Sequence, residues 1–419
     1  MNSEPLQLVV VDDRAVEHLV NFCTTTDRRQ LMVVADRNTW RAQGEAVAAA
    51  LKEAGLDVKT CIFPGPEVVA DANHVFQLLI AAGDEQRTFI SVGSGTITDT
   101  TRFVAHRTYG EFISVPTAPS VDAYISVGAP MIVNGVKVTY NTLAPVAVIG
   151  DINVLMNAPR PMIAAGLGDV LAKFTSVADF RLGAIVYDEP FDAEIARRML
   201  ATAQACADNA AEIARATPAG IGLLTDALLE SGQCMVDFGN SRPASGTEHH
   251  YSHYWEMKLL QEGRPAILHG AKTGVGTVLA SGLYARVRQL SRNEVADLLE
   301  ASAQPDRDEE IAAIRRIYGD LADEVIGVQR NFIEMSPERY DTLKRRILDN
   351  WDAIQAVAAD VPEPEQVATW LRTVGGPGSV AELGFTPEEQ RLAEQYSHYL
   401  RDRFTVRKLM RTLGLMGAA

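Results

Sequence analysis

At 419 residues the chain is too long for one compact core and suits two domains. A hydrophobic share of 47% excludes a disordered protein, and a formal net charge of −15 argues against binding nucleic acid or docking on anionic membranes, both of which need a basic face. Residues Met1, Asn2, Ser3, Glu4 and Pro5 lack the basic and apolar stretches of a signal peptide, and no apolar run is long enough to span a bilayer. Cys23, Cys61, Cys206 and Cys234 are scattered and form no CxxC pair, which suits reduced core thiols in a cytosolic protein.

The first part of the chain alternates short apolar runs with amphipathic stretches. Leu31–Ala35 predicts a strand ending at Asp36. Ala42–Gly55 predicts a helix with Val47, Leu51 and Ala54 on one face, Val58–Phe63 a second strand, Val68–Ala82 a helix and Thr88–Val92 a third strand. Strand and helix alternating over short connections imply an α/β domain with a parallel sheet. Phe112–Val115 is another β-like run, Met131–Val133 and Val136–Tyr140 flank Asn134-Gly135 as in a hairpin, and Pro145–Ile149 is a further strand. Past Asn157 the β signal stops. Ile195–Ala214, Arg292–Ala303, Glu309–Val328, Pro337–Val361 and Pro387–Leu413 have helical periodicity. The expected boundary lies at Met156–Pro161, dividing the chain into residues 1–158 and a helical part, 159–419. The basic stretch Arg401–Arg411 is expected to be a solvated helix face.

Gly93-Ser94-Gly95-Thr96-Ile97-Thr98-Asp99 follows the third strand and opens a helix. Glycines let a backbone approach a phosphate closely, and a helix start offers free N–H groups. The string is neither GxGxxG nor a Walker loop, so it fits a pyrophosphate or a plain strand-to-helix turn equally well. Ser114–Asp122 tilts the balance: Pro116 and Pro119 stiffen an extended segment that carries Thr117 and Ser120 at the carboxyl edge of the sheet, where ligands of such sheets bind. Asp36, on the same edge, is placed for adenosine-ribose hydroxyls or is a plain surface aspartate.

The helical part concentrates ligand chemistry. Ser245-Gly-Thr-Glu248 has the form of a capping box, which would put His249 in the first turns of a helix and His253 one turn on. His269 heads a glycine-rich helix, and Gly166-Leu-Gly-Asp169 presents an aspartate early in another. Four of the eight histidines fall between His249 and His269. One carboxylate and two imidazoles make a three-ligand site with an open position, catalytic in type. A zincin would need Glu after the first histidine, and position 250 is His.

Taken in order, GSGTITD, VPTAPSVDAY, GLGDVLAKF, SGTEHHYSHYWEM and LHGAKTGVGT resemble the sn-glycerol-1-phosphate dehydrogenases, and among them the bacterial AraM-like branch. These belong with iron-type alcohol dehydrogenases, glycerol dehydrogenase and dehydroquinate synthase. The resemblance spans about Asp36 to Gly276, and its GTEH-x-x-SH-x-x-E string is the most specific part. It implies an N-terminal Rossmann-like domain followed by an all-α C-terminal domain of the dehydroquinate synthase type. It implies NAD(H) or NADP(H) contacts at Asp36, Gly95, Thr96, Ile97, Thr98, Asp99, Thr117, Ala118, Pro119, Ser120 and Ser126, and one divalent ion, zinc or nickel, on Asp169, His249 and His269. Asp122 and His253 are expected as catalytic and substrate-binding residues, with Asp169 also near the substrate, and His250 competes with His249 as ligand. The expected reaction is reversible reduction of dihydroxyacetone phosphate to sn-glycerol 1-phosphate. An ion would polarise the ketone, and His253 would give or relay the proton or simply anchor its helix. Lys173 and Arg160 are cationic candidates for the substrate phosphate. The rivals are a glycerol or other polyol dehydrogenase, a dehydroquinate-synthase-like lyase, and a metal-dependent phosphohydrolase that would leave the glycine loop unexplained. Partners are expected to be the small phosphorylated substrate and further copies of the chain, as a dimer or higher homo-oligomer.

Overall fold

The computed structural model describes residues 6–65, 67–133 and 136–416. The chain folds into two compact units, Met1–Val170 with Asp208–Gly239, and Leu171–Ala207 with Asn240–Ala419. The first therefore runs on past Met156–Pro161 and takes in the later segment Asp208–Gly239.

The first unit holds a six-stranded sheet made of β1 (Leu8–Asp12), β2 (Gln30–Asp36), β3 (Asp57–Phe63), β4 (Thr88–Gly93), β5 (Phe112–Pro116) and, after the two strands of a separate hairpin, β6 (Gly128–Val133) and β7 (Val136–Asn141), the last strand β8 (Ala147–Asp151). The order across the sheet is β1-β8-β5-β4-β2-β3, and every neighbouring pair is parallel. All expected strands are present, and β1 is an addition that the sequence reading passed over. β6 and β7 pair antiparallel as expected. The Asn134-Gly135 turn between them, and the first five residues on which the reading of the N-terminus rests, lie outside the described residues. The helix expected over Ala42–Gly55 runs Glu45–Glu53 after a π-type turn at Trp40–Gly44, and that expected over Val68–Ala82 begins at Ala72, capped by the Asp71 carboxylate.

A parallel sheet must be covered on both faces, so its strands carry near-continuous apolar runs. Strand β2 illustrates this. Leu31, Val33 and Ala35 pack with Ala15, Leu19 and Leu51, while Met32 and Val34 pack on the opposite side with Leu78, Val104 and Phe112. Because the strands are parallel, Asp36, Gly93 and Pro116 all end at one edge, with Gly93 and Pro116 paired in register. Asp208–Gly239 joins this unit through helix Pro218–Phe238, whose Leu229 packs with Tyr124, Ile125 and Val148.

The second unit is helical, with one core around Trp351, Ile354, Tyr284 and Leu409 and another around Trp255, Tyr254, Tyr318 and Phe385. Several long expected segments are divided. Arg307–Tyr318 and Ala322–Ile333 part at Gly319, whose φ of +53° lies in the left-handed region, and Pro337–Asp349 and Trp351–Ala359 part at Asn350. The basic stretch Arg401–Arg411 is not a solvated face: Lys408 is 2% exposed and Arg407 6%. Its cations find internal partners instead. Arg403 donates to the Ser241 hydroxyl at 2.9 Å, Arg411 pairs with Glu310, and the Lys408 ammonium lies 4.9 Å from the centre of the Phe332 ring. All four cysteines are buried, as core thiols should be. Among the described residues no helix is long and apolar enough to cross a membrane.

Helix Arg160–Leu171 lies so close to the Thr117–Ser120 segment that a Cβ on Gly166 would stand 1.8 Å from the Pro119 carbonyl oxygen. Backbone cannot yield there as a side chain would. We predict that Gly166→Ala destabilises the protein by about 1–3 kcal/mol, read as a lowered urea midpoint; an unchanged midpoint would show that the contact is not tight.

Candidate metal and cofactor site

The glycine loop leaves β4 and starts helix Gly95–Arg107. Inside this helix the Thr98 N–H bonds back to the Ser94 carbonyl, and the first N–H groups of any helix have no internal partner. They sit where a pyrophosphate would gain both hydrogen bonds and the helix dipole. Beside the loop, Thr117 N–H donates to the Gly93 carbonyl at 3.2 Å. The hydroxyls of Ser94 and Ser120 are 2.5 Å apart, and the Tyr124 hydroxyl reaches both, at 3.3 and 3.4 Å, and donates to the Ala118 carbonyl. Loop and proline segment thus form one hydroxyl-lined patch. At the end of β2, one oxygen of the Asp36 carboxylate accepts from the N–H groups of Asn38 and Thr39 at 2.7 and 2.8 Å.

Arg102, wholly buried on the same helix, is a residue the sequence reading missed. Its guanidinium donates to the Ser126 hydroxyl at 3.0 Å, to the Gly128 carbonyl at 2.6 Å and to the Tyr124 carbonyl at 3.2 Å. Burial pulls its pKa down to about 10, against the attraction of Asp99, so it keeps its charge at neutral pH. A single side chain therefore ties the loop helix to the segment carrying Ser126. Asp122 is held from two sides: its N–H donates to Asp169 Oδ2 at 3.0 Å, and its Oδ2 accepts from the Ser231 hydroxyl at 2.8 Å. Asp169 lies near the end of helix Arg160–Leu171, not early in it as expected. Arg160 donates to the Ala214 carbonyl at 2.8 Å, and the buried Lys173 ammonium lies 3.4 Å from the Ala244 carbonyl.

Helix Thr247–Gln261 carries the histidines, and the expected capping box is only half present. Glu248 does reach back, accepting from the Gly246 N–H at 2.6 Å, but Ser245 caps nothing. The Thr247 N–H goes instead to Asp179 Oδ2 at 2.7 Å, from helix Lys173–Tyr187. Asp179 Oδ1 accepts from the Tyr284 hydroxyl and the Val406 N–H, each at 2.7 Å. The ring of His249 stands 5.3 Å from that of His269, and the ring of His253 is 6.1 and 5.7 Å from these two. One ligand atom each from Asp169, His249 and His269 lie within 4.8 Å of one another. A divalent ion bound at about 2.0–2.2 Å to imidazole and carboxylate keeps its ligand atoms within about 4.4 Å of one another, so these three side chains are near enough to close on one. His250, by contrast, is fully buried among Arg403, Lys408 and Arg401; burial first, and then these cations, push its pKa well below the ordinary value.

A parallel sheet with a glycine loop at its carboxyl edge, in one chain with an aspartate and two histidines of ion-binding chemistry, points to a nucleotide-linked dehydrogenase of the iron-containing type. The comparisons agree. Residues 10–159 match the family described as iron-containing alcohol dehydrogenase. In fold the chain is similar to a probable glycerol dehydrogenase from Sinorhizobium meliloti, with a TM-score of 0.61, 16% identity and coverage of 98% of this chain and 96% of that one. It is similar likewise to maleylacetate reductase from Agrobacterium tumefaciens, with a TM-score of 0.60, 15% identity and coverage of 99% and 96%. In sequence it is 36% identical to glycerol-1-phosphate dehydrogenase [NAD(P)+] of Halalkalibacterium halodurans over 94% of this chain and 89% of that one. It is 34% identical to the Bacillus subtilis protein of the same name over 95% and 89%. The chain belongs to the glycerol-1-phosphate dehydrogenase family.

Burial, and then repulsion from Glu248, push the Asp179 carboxyl up to about 7. A carboxyl whose pKa rises on folding contributes stability that is fully present below its ordinary value and lost as pH climbs through the folded value. We predict that the unfolding free energy falls between about pH 4 and pH 7, and that Asp179→Asn, though less stable throughout, shows a shallower fall in urea titrations. An equally steep fall in the variant would assign the dependence to other groups.

Proposed function

We propose that the protein catalyses the reversible, NAD(P)H-dependent reduction of dihydroxyacetone phosphate to sn-glycerol 1-phosphate. The observation that carries the reading is the grouping of Asp169, His249 and His269 within 4.8 Å in a chain related over nearly its whole length to named glycerol-1-phosphate dehydrogenases. A divalent ion held there, zinc or nickel, would supply Lewis-acid polarisation of the ketone oxygen.

The chain's own residues do the rest. Gly95 to Asp99, with Thr117 to Ser120, take the cofactor pyrophosphate on backbone N–H groups and the Ser94–Ser120–Tyr124 hydroxyls. The Asp36 carboxylate, steadied by two local N–H groups, takes ribose hydroxyls. Ser126, gripped by Arg102, completes the cofactor contacts. Asp122, oriented by Ser231, binds a substrate hydroxyl. Hydride arriving at the ketone carbon leaves an oxygen that needs a proton, and His253, its ring within 6.1 Å of both other imidazoles, gives or relays it. The same reading includes a homo-oligomer in the cytosol. Support for the oligomer comes from helix Ala72–Ala82, where Phe76, Leu79 and Ile80 form an apolar stripe 64%, 37% and 66% exposed.

With dihydroxyacetone phosphate the protein should consume NADH or NADPH steadily, and with unphosphorylated dihydroxyacetone only weakly. Equal rates on the two would favour a polyol dehydrogenase. His249→Ala should lose both bound ion and activity, and a variant that kept both would overturn the ligand set. His253→Gln should change the dependence of kcat on pH; an unaltered profile would remove His253 from proton transfer.

A further inference from the structure

Glu248 is wholly buried, and each of its polar contacts is accounted for. Its Oε1 lies 2.8 Å from His249 Nδ1 and accepts from the Gly246 N–H at 2.6 Å. Its Oε2 accepts from the Thr175 hydroxyl at 2.7 Å. With Oε1 accepting from the Gly246 N–H and Oε2 from the Thr175 hydroxyl, the carboxyl group acts as an acceptor at both oxygens, so Nδ1–H is the donor to Oε1 and Nε2 carries the lone pair of the ring. We propose that Glu248 is a positioning residue, anchored by Thr175, that fixes the tautomer and orientation of His249 so that Nε2 is presented to the ion.

This rests on the ion-binding role assigned to His249 above. Carboxylates behind a ligating imidazole raise its basicity as well as aim it, and their loss costs about 10–100-fold in metal affinity. The competing role is purely structural, since Glu248 also closes the helix start at Gly246. Glutamine separates the two. Glu248→Gln keeps an oxygen for the Gly246 N–H and for Nδ1–H, and its amide can donate to the Thr175 hydroxyl, so the helix start survives while the negative charge is lost. Thr175→Val is the second probe. It leaves Glu248 and His249 untouched, preserves side-chain volume and removes one anchor of the carboxylate.

Zinc affinity is measured by competition with a chromophoric chelator, together with the Tm of the metal-free proteins. For Glu248→Gln we expect affinity lowered by about tenfold or more with a metal-free Tm near that of the wild type. Thr175→Val should give a smaller loss in the same direction. If the wild type binds zinc, His249→Ala does not, and both probes keep wild-type affinity, the positioning role is overturned while the ligand set stands. If the wild type binds no zinc, or His249→Ala binds it as well as the wild type, the underlying ion-site reading falls instead. Should Glu248→Gln fail to fold, Thr175→Val with wild-type affinity and wild-type Tm overturns the proposal by itself.

Discussion

The candidate site depends on one close crossing of backbones. Helix His269–Gln289 passes helix Thr247–Gln261 so tightly that a Cβ on Gly276 would lie 2.4 Å from the Glu248 carbonyl oxygen. That approach brings the rings of His249 and His269 to 5.3 Å. A side chain at 276 would meet that carbonyl, so the two helices, and with them the two imidazoles, would have to move apart. Gly276 is thus a consequence of packing before it is a matter of chemistry.

Around that crossing, buried charge is used to hold backbone. Asp179 joins the start of the histidine helix to Tyr284 and to the Val406 N–H, and Glu248 joins the same start to Thr175 and His249. In the first unit Arg102 plays the corresponding part with the opposite charge, gathering carbonyls and a hydroxyl from residues 123–128. Buried ions are costly unless their hydrogen bonds are made, and breaking one partner leaves an uncompensated charge. Each of these residues therefore gives a rigid local geometry, which a hydride transfer needs more than it needs added stability.

Much of this was legible in the sequence, and the reason it was legible is local. The glycine loop, the two-proline segment and the SGTEHHYSH string each present their chemistry within a few residues, and strands buried on both faces announce themselves as apolar runs. What escaped depends on distant partners. Asp179, not Ser245, receives the Thr247 N–H from 68 residues away. Arg102 acts on a segment more than 20 residues on, as its bond to Tyr124 across 22 residues shows. The basic stretch ending at Arg411 looks solvated by composition, yet its cations are matched by Glu310 and the Phe332 ring, which no local pattern reveals. Strand β1 is an exception of another kind: Leu8–Asp12 is a local apolar run, and it was simply short and half-exposed, as suits a sheet edge.

Asp169, His249 and His269 are proposed together to hold the ion that the ketone reduction uses. The most direct test is the stoichiometry of bound zinc or nickel in the purified wild type and in Asp169→Asn, measured by elemental analysis beside the rate with dihydroxyacetone phosphate. The account predicts one ion per chain in the wild type, and in the variant loss of most of that ion together with most of the rate. A variant that kept its ion and its full rate would contradict it.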